Sequence, residues 1–157
     1  MKSAKRLLLG IGIAIAALVV IAVSLVFFTQ KNITLLPQDT PQGTVQRFLI
    51  AVQSKDYPQA YNYLQITERD LKVSYDDWVR FDVPLMSSTS QPAWKATLGQ
   101  TTISGNNASV EVFVDTFRPN GNGPFGSSTY TQLIQFQLTR VGNSWLITTR
   151  PPLYWLY

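Results

Sequence analysis

The chain has no cysteine and no histidine among its 157 residues. Without cysteine there is no disulfide, no thiol nucleophile and no thiolate ligand, so the fold must be held by its core alone. Without histidine, neither a Ser-His-Asp nor a Cys-His arrangement can be assembled. Zinc and copper sites lose their usual ligands as well. No S-x-x-K spacing follows residue 28, and the Gly-rich stretch 121–126 has no Lys placed to cradle a phosphate. Charge is also scarce. Asp, Glu, Lys and Arg make up 14% of the chain, against about 25% in an average soluble domain. The adjacent acids Asp76 and Asp77 fall at an expected helix start, where they complement the helix dipole rather than hold a cation. No cofactor and no metal are expected.

Part of the charge deficit is local. Leu7 to Phe28 is a 22-residue run with no charged side chain. About 20 apolar residues at ~1.5 Å rise cross a ~30 Å hydrocarbon core, and a helix satisfies its own backbone there. Lys2, Lys5 and Arg6 precede the run, which places a stub of residues 1–6 in the cytoplasm and the chain beyond 28 outside it. A cleaved signal peptide has the same basic-then-apolar order. Continuation of the apolar run through Leu25–Phe28 favours an uncleaved, single-pass anchor over residues 7–28, with the lipid bilayer as its partner. The formal charge of +4 then misleads. Residues 29–157 carry 10 basic and 9 acidic side chains, a net of +1, with no Lys/Arg block. A nucleic-acid partner is not expected from such a surface.

Residues 29–39 are polar and irregular and are expected to form a linker to an external domain over 40–157. Thr40-Pro41 is an N-cap followed by Pro at the first helical position. Val45, Phe48, Leu49 and Val52 then form one apolar stripe at i, i+3, i+4 and i+7. Asp56 caps a second helix with Tyr57, Ala60, Tyr61 and Leu64 at the same spacing. Thr67, with Glu68 and Asp70 behind it, suggests a short helical turn. Ser74 and Asp77 suit a capping box for a helix that Val83-Pro84 stops. After Pro84 the period changes. Residues 93–103, 108–117, 129–140 and 144–150 read as strands, with turns at 104–107 and 141–143 and a Gly/Pro/Asn loop between 118 and 128. Helices followed by strands give an α+β class: about three helices on one face of a curved antiparallel sheet of about four strands.

The stretch "TPQGTVQRFLIAVQSKDYPQAYNYL" at 40–64, with "GNSWLITT" near the end, resembles the nuclear transport factor 2-like superfamily, in particular its small bacterial membrane-anchored members. The resemblance covers about residues 40–150. It implies a cone-shaped half-barrel with an internal pocket, on a fold that hosts enzymes, ligand binders and assembly modules. Some membrane-anchored members assemble secretion or conjugation machines. The steroid-isomerising members use a carboxylate beside a tyrosine.

Glu111 and Asp115 share a strand face with Phe113 and Phe117. If that face lined the cone, a desolvated carboxylate would serve as a general base of an isomerase or dehydratase. The opposite face, Val110, Val112 and Val114, is the more natural core face, which leaves both acids outside. Tyr57, Tyr61, Trp78, Trp94, Phe113, Phe117 and Trp145, together with Tyr63, are the aromatic candidates for an apolar ligand pocket; core packing is the competing role. The tail "RPPLYWLY" places large apolar groups at 153–157, either folded onto the domain or meeting a partner. The expectation is a membrane-anchored, extracytoplasmic, non-catalytic binding or assembly module. It would hold a small apolar ligand in a pocket, or a protein partner or second copy through the sheet face or the aromatic tail.

Overall fold

The computed structural model describes Gly12, Ile15, residues 17–21, 34–83, 93–119, 127–151 and Leu153. Residues 1–34 and 35–157 form two separate units. In the first, Gly12, Ile15 and residues 17–21 are helical, and Ile15, Leu18, Val19, Val20 and Ile21 are exposed. Among the described residues no helix is long and apolar enough to cross a membrane. The anchor expected over 7–28 lies mostly outside them.

The second unit is α+β. Its order is α1 (Pro41–Gln53), α2 (Tyr57–Tyr61), β1 (Thr67–Glu68), β2 (Leu71–Lys72), α3 (Tyr75–Asp82), β3 (Ala93–Ser104), β4 (Asn107–Pro119), β5 (Ser127–Val141) and β6 (Ser144–Ile147). The three helices begin where local chemistry starts them. Thr40 is extended, and its hydroxyl accepts from the Gly43 amide at 3.1 Å. Asp56 accepts from the Gln59 amide at 3.1 Å. Ser74 Oγ accepts from the Asp77 amide at 3.2 Å, the cap read from the sequence, and donates to the Asp77 carboxylate at 2.7 Å, so the return contact is made to the Ser74 hydroxyl rather than to its amide. Gly43 has a second reason to be there. A Cβ at this position would collide with the Pro37 carbonyl, so glycine lets the preceding segment lie against the helix.

The helical turn expected at Thr67 is a correction. Thr67–Glu68 pairs with Leu71–Lys72 in a two-stranded hairpin. Arg69 and Asp70 at its tip have φ of 51° and 67°. Two consecutive left-handed residues make the tight turn whose twist matches antiparallel strands, and they cannot start a right-handed helix. Ile66 and Val73, just outside the hairpin, are buried, and the Val73 amide donates to the Ile66 carbonyl at 2.9 Å. Tertiary burial of this pair fixes the reversal.

The large sheet is antiparallel throughout, in the order β3-β4-β5-β6. Gly105 (φ 58°) and Gly142 (φ 61°) supply the left-handed positions of its two tight turns. The register of β3 on β4 shifts between Leu98 and Thr101, and such an irregularity bends and twists a strand. A further parallel bridge joins Leu64 to Ile147. There the Gln65 amide donates to the Ile147 carbonyl and the Ile147 amide to the Tyr63 carbonyl, both at 2.8 Å.

The inner sheet face is the valine face. Val110, Val112, Val114, Phe136 and Ile147 are fully buried beneath Val45, Phe48 and Val52 of α1. Phe48 meets Phe136 edge to face at 5.9 Å. Each such side chain contributes on the order of 1.5–3 kcal/mol of burial, the only large stabilising term open to a chain without disulfides. Leu153 is also fully buried, so the start of the terminal segment folds into the core; Tyr154–Tyr157 lie outside the described residues.

Candidate functional site

The aromatic residues singled out in the sequence go to three places. Trp78 and Trp145 are in the core, at 0% and 5% exposure. Trp78 sits in an aromatic cluster with Tyr57 (6.5 Å), Tyr61 (6.0 Å) and Tyr75 (6.4 Å). Tyr61 closes the cluster by donating to the Val73 carbonyl at 2.7 Å, and the Lys72 ammonium lies 5.2 Å from its ring. This cluster glues α2 and α3 together. The Trp78 indole N–H finds no acceptor among the described residues, so packing and ring contacts hold it. Trp94 is half-buried against the core from β3. Phe113 and Phe117 are elsewhere, on the outer face.

That outer face carries Glu111 and Asp115. β4 register sets Asp115 between Lys95 of β3 and Thr131 of β5, and Phe113 between Thr97 and Leu133. Asp115 Oδ1 accepts from Thr131 Oγ1 at 2.6 Å. The alternation of β4 therefore puts both carboxylates on the side away from the helices. Beside them the Phe113 ring lies over Gly99: a Cβ there would come within 2.9 Å of the ring and 3.1 Å of the Glu111 Cβ. Phe113, Phe117 and Leu133 remain 41%, 39% and 54% exposed. A small apolar surface thus lies among hydroxyl, amide and mixed-sign charged side chains.

Two clefts open on another side, around α1 and α2. One, of about 270 Å³, is lined by Gln38, Thr44, Gln59, Asn62, Tyr63, Ser144, Trp145 and Leu146. The other, of about 410 Å³, shares Gln38, Gln59 and Tyr63 with it and adds Leu35, Arg47, Ile50, Ala51, Ser54 and Asp56. Of the aromatic candidates, Tyr63 lines both clefts and Trp145 the first; the others line neither. Sequence reasoning passed over the polar lining, although two signals were present. Thr44 is a hydroxyl beside the apolar stripe of α1, and Gln59 and Asn62 lie three residues apart at the end of α2, next to Tyr63.

At the far end of β6, Arg150 Nε approaches the Asp82 carboxylate at 2.7 Å, and its Nη1 lies 3.3 Å from Glu68. The hydrogen bond to Asp82 raises the guanidinium pKa above its ordinary value, against a smaller opposing effect of burial. A raised cationic pKa stabilises the fold below the unfolded value and loses that effect only as pH rises through the folded one, here in strongly alkaline solution. The two contacts form a structural strap, with Arg150 39% exposed, and are worth under about 1 kcal/mol. Among the described residues no group of three or more acidic side chains could hold a metal ion.

No family model and no curated protein matches the chain. Solved structures do. The chain is similar to a SEC-C motif containing protein from Rhodopseudomonas palustris, at 13% identity and a TM-score of 0.49, over 73% of this chain and 79% of that one. It is also similar to the beta subunit of the benzoate 1,2-dioxygenase from Burkholderia mallei, at 10% identity and a TM-score of 0.43, over 68% of this chain and 83% of that one. Neither likeness bears on activity.

Proposed function

We propose that the protein is a membrane-anchored, extracytoplasmic, non-catalytic module of the nuclear transport factor 2-like type, and that the outer face of its sheet docks a second copy of the chain. The carrying observation is the Phe113–Phe117–Leu133 surface, exposed on the side away from the helices. Its make-up is that of an interface: large apolar groups at the centre, with a rim of Thr97, Thr129, Thr131 and Gln135. Lys95, Glu111 and Asp115 mix the signs of charge around it, so the face neither repels a copy of itself nor selects a strongly charged partner. Phe113 lying down on Gly99 keeps the centre low, which suits two sheets meeting face to face. The placement of Glu111 and Asp115 on this open face supports a binding role over proton abstraction.

The anchor rests on the uncharged run 7–28 and the basic residues before it; the cone shape rests on the resemblance and agrees with helices lying on one side of a four-stranded sheet. Light scattering or sedimentation on the full chain in detergent tests the docking face. Wild type is expected as a dimer, and Phe113→Asp as a folded monomer. A wild-type monomer across the micromolar range would sink the reading. The absence of native cysteine gives a clean topology test. Lys55→Cys, in the exposed turn between α1 and α2, should react with a membrane-impermeant thiol reagent in intact cells; protection until lysis would place the domain inside.

A further inference from the structure

We infer that the cleft between α1, α2 and the start of β6 is a binding site for an uncharged saccharide. It is separate from the sheet face and does not depend on it. The inner half is lined by Gln38, Thr44, Gln59, Asn62, Tyr63 and Ser144. All six are neutral, and amides and hydroxyls both donate and accept, as sugar hydroxyls require of a partner. The two charged groups of the outer half are already engaged. Arg47 Nη1 donates to the Leu36 carbonyl at 2.8 Å and the Gly43 carbonyl at 3.1 Å. Asp56 caps α2 through the Gln59 amide. The outer half thus carries one cation and one anion, with no excess of either sign, and the neutral inner half favours a hydroxyl-rich, uncharged ligand.

The site is built rather than incidental. Thr44 is 2% exposed and donates to the Trp145 carbonyl at 3.3 Å, which ties α1 to β6 and leaves the oxygen able to accept. Gln59 Nε2 donates to the Tyr63 hydroxyl at 3.3 Å, which leaves that O–H to donate. The irregular segment that forms one wall is fixed at several points. The Leu36 amide donates to Gln46 at 2.8 Å, Thr40 Oγ1 donates to the Pro37 carbonyl at 2.7 Å, and Gly43 admits the close approach. A preformed wall lowers the ordering cost of binding. Tyr63, half-buried, supplies ring surface beside these polar groups, while Trp145 is buried and meets Thr44 through its backbone carbonyl; a ring face next to amides and hydroxyls is what the C–H face and hydroxyl rim of a sugar call for. An extended peptide is a poorer occupant. The β6 edge is bridged to Tyr63–Gln65 at Ile147, and the Trp145 carbonyl accepts from Thr44, which leaves little free edge for an added strand.

The test is titration of the full chain, in a sugar-free detergent, with maltotriose and chitotriose, read by calorimetry and by NMR of the Gln/Asn side-chain amides and tryptophan indoles. Saturable binding in the ~1–10 mM range or tighter is expected from a few net hydrogen bonds, with shifts at Gln59, Asn62 and Trp145. Asn62→Ala and Ser144→Ala, both at exposed positions, should each weaken binding roughly three- to tenfold while circular dichroism and the dimer are unchanged. Absence of saturable binding by either sugar would overturn the inference. So would shifts from trialanine or inorganic phosphate at these residues with none from the sugars, or sugar affinity unaltered in both variants.

Discussion

The two faces of β4 differ by one residue in register and by everything in environment. Val110, Val112 and Val114 are fully buried, whereas Phe113 and Phe117, which carry more apolar area, are 41% and 39% exposed. Hydrophobicity alone would have buried the phenylalanines first. Parity decides instead, because successive side chains of a strand point to opposite sides and only one side meets α1. The comparison separates apolar residues that hold the fold from those left for a partner, and mutation can test that division.

The largest effect should come from the inner face. Val112→Asp places a carboxylate in a fully buried position, and chemical denaturation should show a loss of roughly 4 kcal/mol or more, or no folded protein. A near-neutral result would mean that the valines do not form the core. Gly99→Ala acts across the sheet, where the new Cβ presses on the Phe113 ring and Glu111. It should cost about 1 kcal/mol in thermal or chemical unfolding and loosen the dimer; a stabilised variant would show that the ring does not lie on that backbone. Phe113→Asp and Phe117→Asp should each change monomer stability by under about 1 kcal/mol, despite removing a larger side chain than Val112. A loss as large as that of Val112→Asp would erase the contrast between the faces. Asp115→Ala removes one exposed hydrogen bond from Thr131 and should alter stability by no more than about 0.5 kcal/mol.

Local features were the most legible. The caps at Thr40, Asp56 and Ser74 depend on one side chain and an amide two or three residues on, so sequence spacing finds them. The stripe Val45, Phe48, Leu49, Val52 and the alternation of β4 are periodic signals over a single element, and both match the buried faces. The Thr67–Lys72 hairpin was misread because Thr, Glu and Asp suit a helix start as well as a turn. The left-handed φ of Arg69 and Asp70 follows from burial of Ile66 and Val73, which lies outside that window. Tyr57, Tyr61, Trp78 and Trp145 were equally suited to a pocket or a core. Which role each took depended on how closely the helices lie on the sheet, a distance no spacing encodes. The polar cleft was least legible, because its lining comes from residues 38, 44, 59, 62, 63 and 144–146 and no local pattern joins them.

By itself the sequence determined the excluded chemistries, the helix starts, the strand alternation and the α+β order, because composition, capping and periodicity act within a few residues. Only the tertiary structure decided that β1 and β2 form a hairpin, that Phe113 and Phe117 stay outside with Glu111 and Asp115, and that Thr44 meets Trp145 across a hundred residues of chain. Those outcomes arise from which surfaces find one another, and burial is a property of pairs of elements rather than of any one of them.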